Sequence, residues 1–258
     1  MKLKIRLLIV GCFLSIGAFA QTPKAIEDDL LATFKKIDYW NIQKANDTTV
    51  GALDSLSDAN DYFSDKLSEY AVKKPLTIKL PFEYLTAAGL EITTSDDGNL
   101  RIYSWDSGTG GMQHTFRNIF QFRTKYGTDT LHDVTADPYP TPADISNIYQ
   151  FIINGKTIYL INYVMPIGIN CYEGITVCTV ENEHLNTDVK IIKTKSGLHN
   201  HLSCYFEGST NNGEDVNTQI TFDPKNNTIK LPLINENNQP TKYSITYKFT
   251  GQYFEKVK

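Results

Sequence analysis

The chain of 258 residues is poor in the residues that mark many common chemistries. It has only four cysteines, and no two of them form a CxxC pair. That excludes a thioredoxin-like redox motif and a zinc ribbon. No complete GxxxxGK[ST] phosphate loop, dinucleotide-binding glycine fingerprint or HExxH metalloprotease helix occurs, so no cofactor is expected. Cationic excess is missing as well: the formal charge is −4, which weighs against nucleic acid or an anionic membrane as the main partner. Beyond the first twenty residues there is no apolar run long enough to cross a bilayer, hence no transmembrane segment is expected. No repeat of fixed period stands out.

The N-terminus is a separate text. Lys2, Lys4 and Arg6 precede an apolar run from Leu7 to Phe19, and Ala18-Phe19-Ala20 leads into Gln21. This order is that of a secretory signal peptide cleaved after Ala20, which predicts a periplasmic or extracellular location. The competing reading takes Ile9-Val10-Gly11-Cys12 as a lipobox, with a lipoprotein anchored at Cys12. Removing residues 1–20 takes away three positive and no negative charges, moving the formal charge from −4 to −7.

The rest of the chain divides by period. Residues 22–40 carry Ile26, Leu30, Phe34 and Ile37 on one stripe, with acids early and lysines late, as a helix requires. Residues 49–72 place Leu53, Leu56, Phe63, Leu67 and Tyr70 on one side and Asp54, Asp58, Asp61 and Asp65 opposite, a solvated acidic face. From about residue 90 the spacing changes to alternation broken by turn signals such as Asp97-Gly98 and Asn154-Gly155. Residues 21–74 are therefore expected to form a helical segment and 75–258 an antiparallel β domain. The fold class is α+β, mostly β: a meander of about ten strands, sandwich or barrel, with the helical pair packed against it. In "MQHTFRNIFQFR" the alternation predicts one core face and one wet face, whereas "QFIINGKTIYLINYV" is apolar on both sides and needs cover on both, for which the helices are the expected source. Pro232 marks the strand 229–234 as an edge.

The stretch "DGNLRIYSWDSGTG" resembles the end of a WD-repeat blade, where an Asp-Gly turn leads into a strand closing on Trp-Asp. The resemblance implies a propeller-like interaction platform, the alternative fold, but the motif occurs once and carries an extra "YS". A five-residue bend at 107–111 would pair Asp106 with Met112, Ser104 with His114 and Ile102 with Phe116. Ser104, Asp106 and His114 would then gather at one strand end, the ingredients of a nucleophilic site as well as of a hydrogen-bonded cap. The other face would present Arg101, Tyr103, Trp105 and Gln113, an aromatic platform with flanking donors suited to a sugar ring or a partner side chain, unless a helix covers it.

Two smaller constellations remain. Cys171 and Cys178 flank "YEGITV" and are the disulfide candidate, with Cys178–Cys204 also open. His199 and His201 stand two apart, the spacing of two metal ligands on one strand face, though Cys204 has the wrong parity to join them. The expected function is an exported, non-enzymatic binding domain for a saccharide, peptide or protein surface. The alternatives are a hydrolase at Ser104/Asp106/His114 and an envelope structural or assembly protein.

Overall fold

The computed structural model describes residues 22–46, 50–111, 114–134, 142–207 and 218–257. Residues 1–21, Cys12 among them, and Met112 and Gln113 lie outside them. Two helices come first, α1 (Pro23–Asn46) and α2 (Val50–Lys73). Thr22 Oγ1 accepts the Ala25 N–H at 3.2 Å, satisfying one of the donors a helix start leaves open. The stripe Ile26, Leu30, Phe34 and Ile37 is buried against Leu56, Phe63 and Leu67 of α2. Asp29 ties the pair, accepting from Lys66 at 2.7 Å and from the Tyr70 hydroxyl at 2.6 Å. Asp54, Asp58, Asp61 and Asp65 are exposed. Leu53, expected on the apolar stripe, is 44% exposed: the buried stripe runs through Ala52, Leu56, Ala59, Phe63 and Leu67, and Leu53 lies one position to its side.

A 3₁₀ turn (Pro75–Lys79) and the short helix α3 (Glu83–Ala87) lead into the strands. Glu27 on α1 accepts the Tyr84 N–H at 2.7 Å, so α1 caps the start of α3.

The strands form three sheets, with no closed barrel among the described residues. The first is a four-stranded meander of β1 (Glu91–Thr94), β2 (Leu100–Asp106), β3 (Phe116–Thr124) and β4 (Gly127–His132). It has the connectivity of a propeller blade, which is not repeated among the described residues. The second contains β5 (Asp144–Ile153), β6 (Lys156–Ile167), β7 (Asn170–Glu181) and β11 (His201–Glu207), with β8 (His184–Asn186) pairing β7. The third holds β9 (Ile192–Thr194), β10 (Gly197–His199), β12 (Thr221–Asp223), β13 (Thr228–Ile234), β14 (Pro240–Phe249) and β15 (Phe254–Lys256). Every pairing is antiparallel except β15 with β9.

Three cores separate four layers. Tyr103, Trp105 and Ile119 of the first sheet meet the helices. From its other face, Leu100, Ile102, Phe120 and Phe122 meet Ile145, Tyr159, Ile161 and Tyr163 of the second sheet. Ile158, Leu160, Ile175 and Val177 of that sheet then meet Phe222, Ile229 and Phe254 of the third. The doubly apolar strand β6 is thus covered on both faces, as its pattern requires, but by sheets; the helices cover β2 and β3 instead. Likewise β3 has no wet face: Gln121 is fully buried, accepting from the Tyr103 hydroxyl at 2.8 Å and donating to Ala71 O and Thr77 Oγ1 at 2.9 Å each. β13 as a strand lies between β12 and β14, but β12 pairs only as far as Lys230, so Pro232 opposes Ser244 of β14 alone and sits at a locally unpaired edge, just before the register shift to Ile234.

Candidate functional site

The hairpin of β2 and β3 forms, but four residues out of the expected register. Asp106 opposes Phe116, Ser104 opposes Asn118 and Ile102 opposes Phe120. The bend is longer than its glycines suggested because it is pinned rather than tight. Ser107 N and Oγ both donate to Thr115 O, at 2.8 and 2.7 Å. Lys44 near the end of α1 reaches the Gly108 carbonyl, and Asp106 Oδ1 accepts the Gly108 N–H at 2.9 Å. Gly108 has φ +66°, and a Cβ there would stand 2.8 Å from the Asn41 side chain. The positive φ is what calls for glycine, since the exposed Asn41 side chain can move aside.

This register takes apart the Ser/His/Asp constellation. His114 Nδ1 meets Asp106 Oδ2 at 2.5 Å, on the surface. Ser104 is 1% exposed and its Oγ has no hydrogen-bond partner, so it serves neither group. The aromatic platform is covered. Trp105 is 1% exposed, donates Nε1–H to Asn60 Oδ1 at 2.8 Å and lies edge-on to Phe63 at 5.1 Å. Arg101 Nη1 donates to the Thr77 and Leu80 carbonyls, both at 2.7 Å, closing the end of the 3₁₀ turn. Tyr103 is buried beside it; burial pushes its phenol up to about 12. These three residues dock the helical layer and face no solvent.

The other candidates also separate. Cys171 and Cys178 stand seven positions apart on the single strand β7. At the rise of an extended strand they are about 23 Å apart and on opposite faces, whereas a disulfide needs Cα atoms within about 7 Å. Cys171, Cys178 and Cys204 are all free thiols. His199 and His201 fall on β10 and β11, in different sheets, because the chain bends at Asn200. Their rings lie 5.8 Å apart, with His199 Nε2 on Ser196 Oγ and His201 Nδ1 on Asn200 Oδ1. Among the described residues no group of three or more His, Cys, Asp or Glu is placed to hold a metal ion.

A cleft of about 520 Å³ lies elsewhere, where strand ends of the first two sheets come together; two others measure about 250 and 170 Å³. Arg123, Lys156, Tyr159, Glu181, Asn99 and Asn182 are in its wall. Turns build it. Asn154 and Gly155 take φ +50° and +80°, as a two-residue hairpin demands, and swing Lys156 to the rim. Asn182 and Glu183 do the same between β7 and β8 with φ +51° and +67°. Gly155-Lys156-Thr157 has the letters that end a phosphate loop, but it runs into a strand and offers no helix N-terminus.

Asp97, behind the lining, holds Asn99 and Tyr159 in place. It accepts from Ser95 Oγ at 2.6 Å, the Asn99 N–H at 3.0 Å and the Tyr159 hydroxyl at 3.0 Å. Burial raises its carboxyl, but these hydrogen bonds outweigh it and leave the group below its ordinary value. The Tyr159 phenol is pushed up, first by burial and then by the Asp97 charge, and remains a neutral donor. Lys156 is neutralised by Glu181 at 2.9 Å. Arg123 is not: among the described residues its guanidinium meets only the Gly98 carbonyl, 3.4 Å from Nε, and no carboxylate. The cleft wall therefore holds two cations and one carboxylate in an otherwise acidic protein.

Sequence reasoning did not find this site. Its residues come from four turns or strand ends far apart in the chain; the one local signal was the pair of Gly turns at 97–98 and 154–155. Comparison with known proteins finds no matching protein-family model and no matching curated protein.

Proposed function

We propose that the chain is an exported binding domain without covalent chemistry, and that its cleft receives an acid-bearing saccharide. The observation that carries this reading is the unpaired Arg123 guanidinium in the wall of the 520 Å³ cleft. A guanidinium fork binds a carboxylate through two parallel hydrogen bonds. Around it, the amides of Asn99 and Asn182 offer the donors and acceptors that sugar hydroxyls take up. Export is supported by the basic, apolar and small-residue order of residues 1–20.

Calorimetric titration with oligosaccharides of a uronic acid and with their neutral counterparts tests the binding reading. The acidic series binds and the neutral series binds at least tenfold more weakly. Arg123→Ala removes the difference between them. Equal affinity for both series, or an acidic preference that survives Arg123→Ala, refutes it. N-terminal sequencing of the protein recovered after export gives Gln21 as the first residue; a lipid-modified Cys12 would move the protein to a membrane anchor.

A further inference from the structure

The charges and hydrogen bonds of the cleft wall bear on which acidic sugars it admits. Arg123 follows Phe122, which opposes Leu100 in the β2–β3 ladder, and its N–H donates to the Asn99 carbonyl at 2.8 Å. Arg123 and Asn99 are therefore cross-strand neighbours, a relation that sets Cβ atoms about 4.5–5.5 Å apart. The Asn99 amide has already spent its donor: Nδ2 is committed to Asp97 Oδ2 at 3.1 Å, which leaves Oδ1 as the atom a ligand meets. The Tyr159 hydroxyl is spent on Asp97 as well, at 3.0 Å. Beside the guanidinium the wall thus presents an acceptor, which suits a hydroxyl and repels a second anion.

The other cation of the wall is bound. Lys156 Nζ meets Glu181 Oε1 at 2.9 Å, and both residues line the cleft. The hydrogen bond and charge of Lys156 hold the Glu181 carboxyl below its ordinary value, so it stays ionised through the neutral range. Glu183, next to the lining Asn182, takes the Lys125 N–H and adds a negative charge beside the wall. Arg123 and Lys156 against Glu181 leave the lining with a surplus of one positive charge. One carboxylate neutralises that surplus. A second anionic group has to draw Lys156 away from Glu181, and the carboxylate it displaces then faces two anions in a concave site.

We propose that Glu181 is the specificity-determining residue of the cleft: it admits a uronic acid residue whose carboxylate is its only charge and excludes the same sugar bearing a sulfate ester. The inference rests on the saccharide reading above and narrows it. The sugar carboxylate takes the Arg123 fork through two parallel hydrogen bonds. A hydroxyl of the same residue donates to Asn99 Oδ1, and Lys156 stays with Glu181. Exclusion works by repulsion and by a withheld cation rather than by size, since a cleft of about 520 Å³ has room for the added group.

The test is calorimetric titration with a disaccharide containing glucuronic acid, with the same disaccharide carrying one sulfate ester on that residue, and with a neutral counterpart. Wild type binds the sulfated form more weakly than the unsulfated one by a factor of about ten or more. In Glu181→Gln that ratio falls to about threefold or less, because Lys156 is released to meet the sulfate. Glu181→Asp, which keeps the charge, keeps the gap. Added salt weakens the sulfated ligand more steeply in Glu181→Gln than the unsulfated one in wild type, since two ion pairs form instead of one; a merely structural role for Glu181 would not move that slope. Equal affinity of the wild type for both acidic forms, or a tenfold gap that survives Glu181→Gln, overturns the inference and leaves the saccharide reading standing. If the wild type binds neither acidic form better than the neutral one, the saccharide reading fails and this inference falls with it.

Discussion

Replacing Gly174 by alanine is expected to be strongly destabilising, for a reason confined to one contact. Gly174 sits in the middle of β7, directly opposite Tyr163 on β6. Its backbone is ordinary extended strand, so no special φ calls for glycine. On conformational grounds alone, alanine in a strand interior is better than glycine by about 0.5–1 kcal/mol. The tyrosine ring reverses that sign. A Cβ at position 174 would meet Tyr163 Cζ at 2.0 Å, its hydroxyl oxygen at 2.1 Å and Cε1 at 2.6 Å. Carbon atoms rest about 3.5–4.0 Å apart, so the ring has to retreat by about 1.5 Å. It has nowhere to go: Tyr163 is 0% exposed and stacks on Tyr172 at 6.5 Å. Overpacking of this kind costs about 1–3 kcal/mol, and the size of the overlap puts this case at the upper end. At about 2–4 °C per kcal/mol for a domain of this size, the melting temperature falls by about 6–12 °C. Urea denaturation followed by far-UV circular dichroism gives the free energy. Tyr163→Leu supplies the control, because with the ring gone Gly174→Ala becomes neutral or stabilising. A Gly174→Ala variant as stable as wild type in the Tyr163 background refutes the reasoning.

Other expectations rest on separate contacts. Asn60→Ala leaves the buried Trp105 N–H and the Ser107 carbonyl without their partners at 2.8 and 2.9 Å, a loss of about 1–3 kcal/mol. The same change in a Trp105→Phe background costs less, and additive losses in a double-mutant cycle would deny the coupling. Glu173 is 4% exposed, and burial lifts its carboxyl to about 7 against the hydrogen bond from Ile220 N–H at 2.7 Å. Because the folded value lies above the unfolded one, about 4.3, stability falls as pH rises from there through 7. Glu173→Gln accordingly gains about 1–3 kcal/mol over wild type at pH 8 and nothing at pH 4; an equal gain at both pH values would assign the effect to packing instead. Burial raises the thiols of Cys171 to about 11 and Cys204 to about 12 and lifts that of Cys178 as well. In the native protein a thiol-specific disulfide reagent is therefore slow at all three, and after unfolding it titrates all three at once. Rapid native modification of Cys178 would contradict its burial.

How much was legible in the sequence depends on which interactions are local. The stripe at Ile26, Leu30, Phe34 and Ile37 repeats within a single helix, and it is buried as its spacing requires. The double-sided apolar pattern of β6 correctly demanded two covers, but pattern cannot say what the cover is, and here two sheets supply it. The register of β2 with β3 was lost because Gly108, Gly110 and Gly111 look like a tight bend; the long-range contacts from Lys44 and Asn41 of α1 hold the loop open instead. A four-residue shift preserves the parity of every side chain. The faces of β2 were therefore assigned in the right sets even though each cross-strand partner was wrong. Cys171 and Cys178 fail as a pair for the opposite reason: six intervening residues look like a loop, but residues 172–177 run extended within β7.

The residues that suggested binding and those now proposed for it differ in a way that bears on separating folding from function. Arg101, Tyr103 and Trp105 offer aromatic faces and donors, and the helical layer uses them all, so any substitution there disturbs the docking of α2 and of the 3₁₀ turn. Arg123 lies at the end of β3 and belongs to none of the three cores. Its single weak hydrogen bond to Gly98 O contributes little. Arg123→Ala is thus expected to shift the unfolding free energy by no more than about 0.5 kcal/mol, the range for surface changes away from structural features. If the variant instead loses about 2 kcal/mol or more, Arg123 is holding the turns together, and the cleft wall is a structural brace. A variant that keeps full stability and loses the acidic ligand can have only one cause, the missing guanidinium.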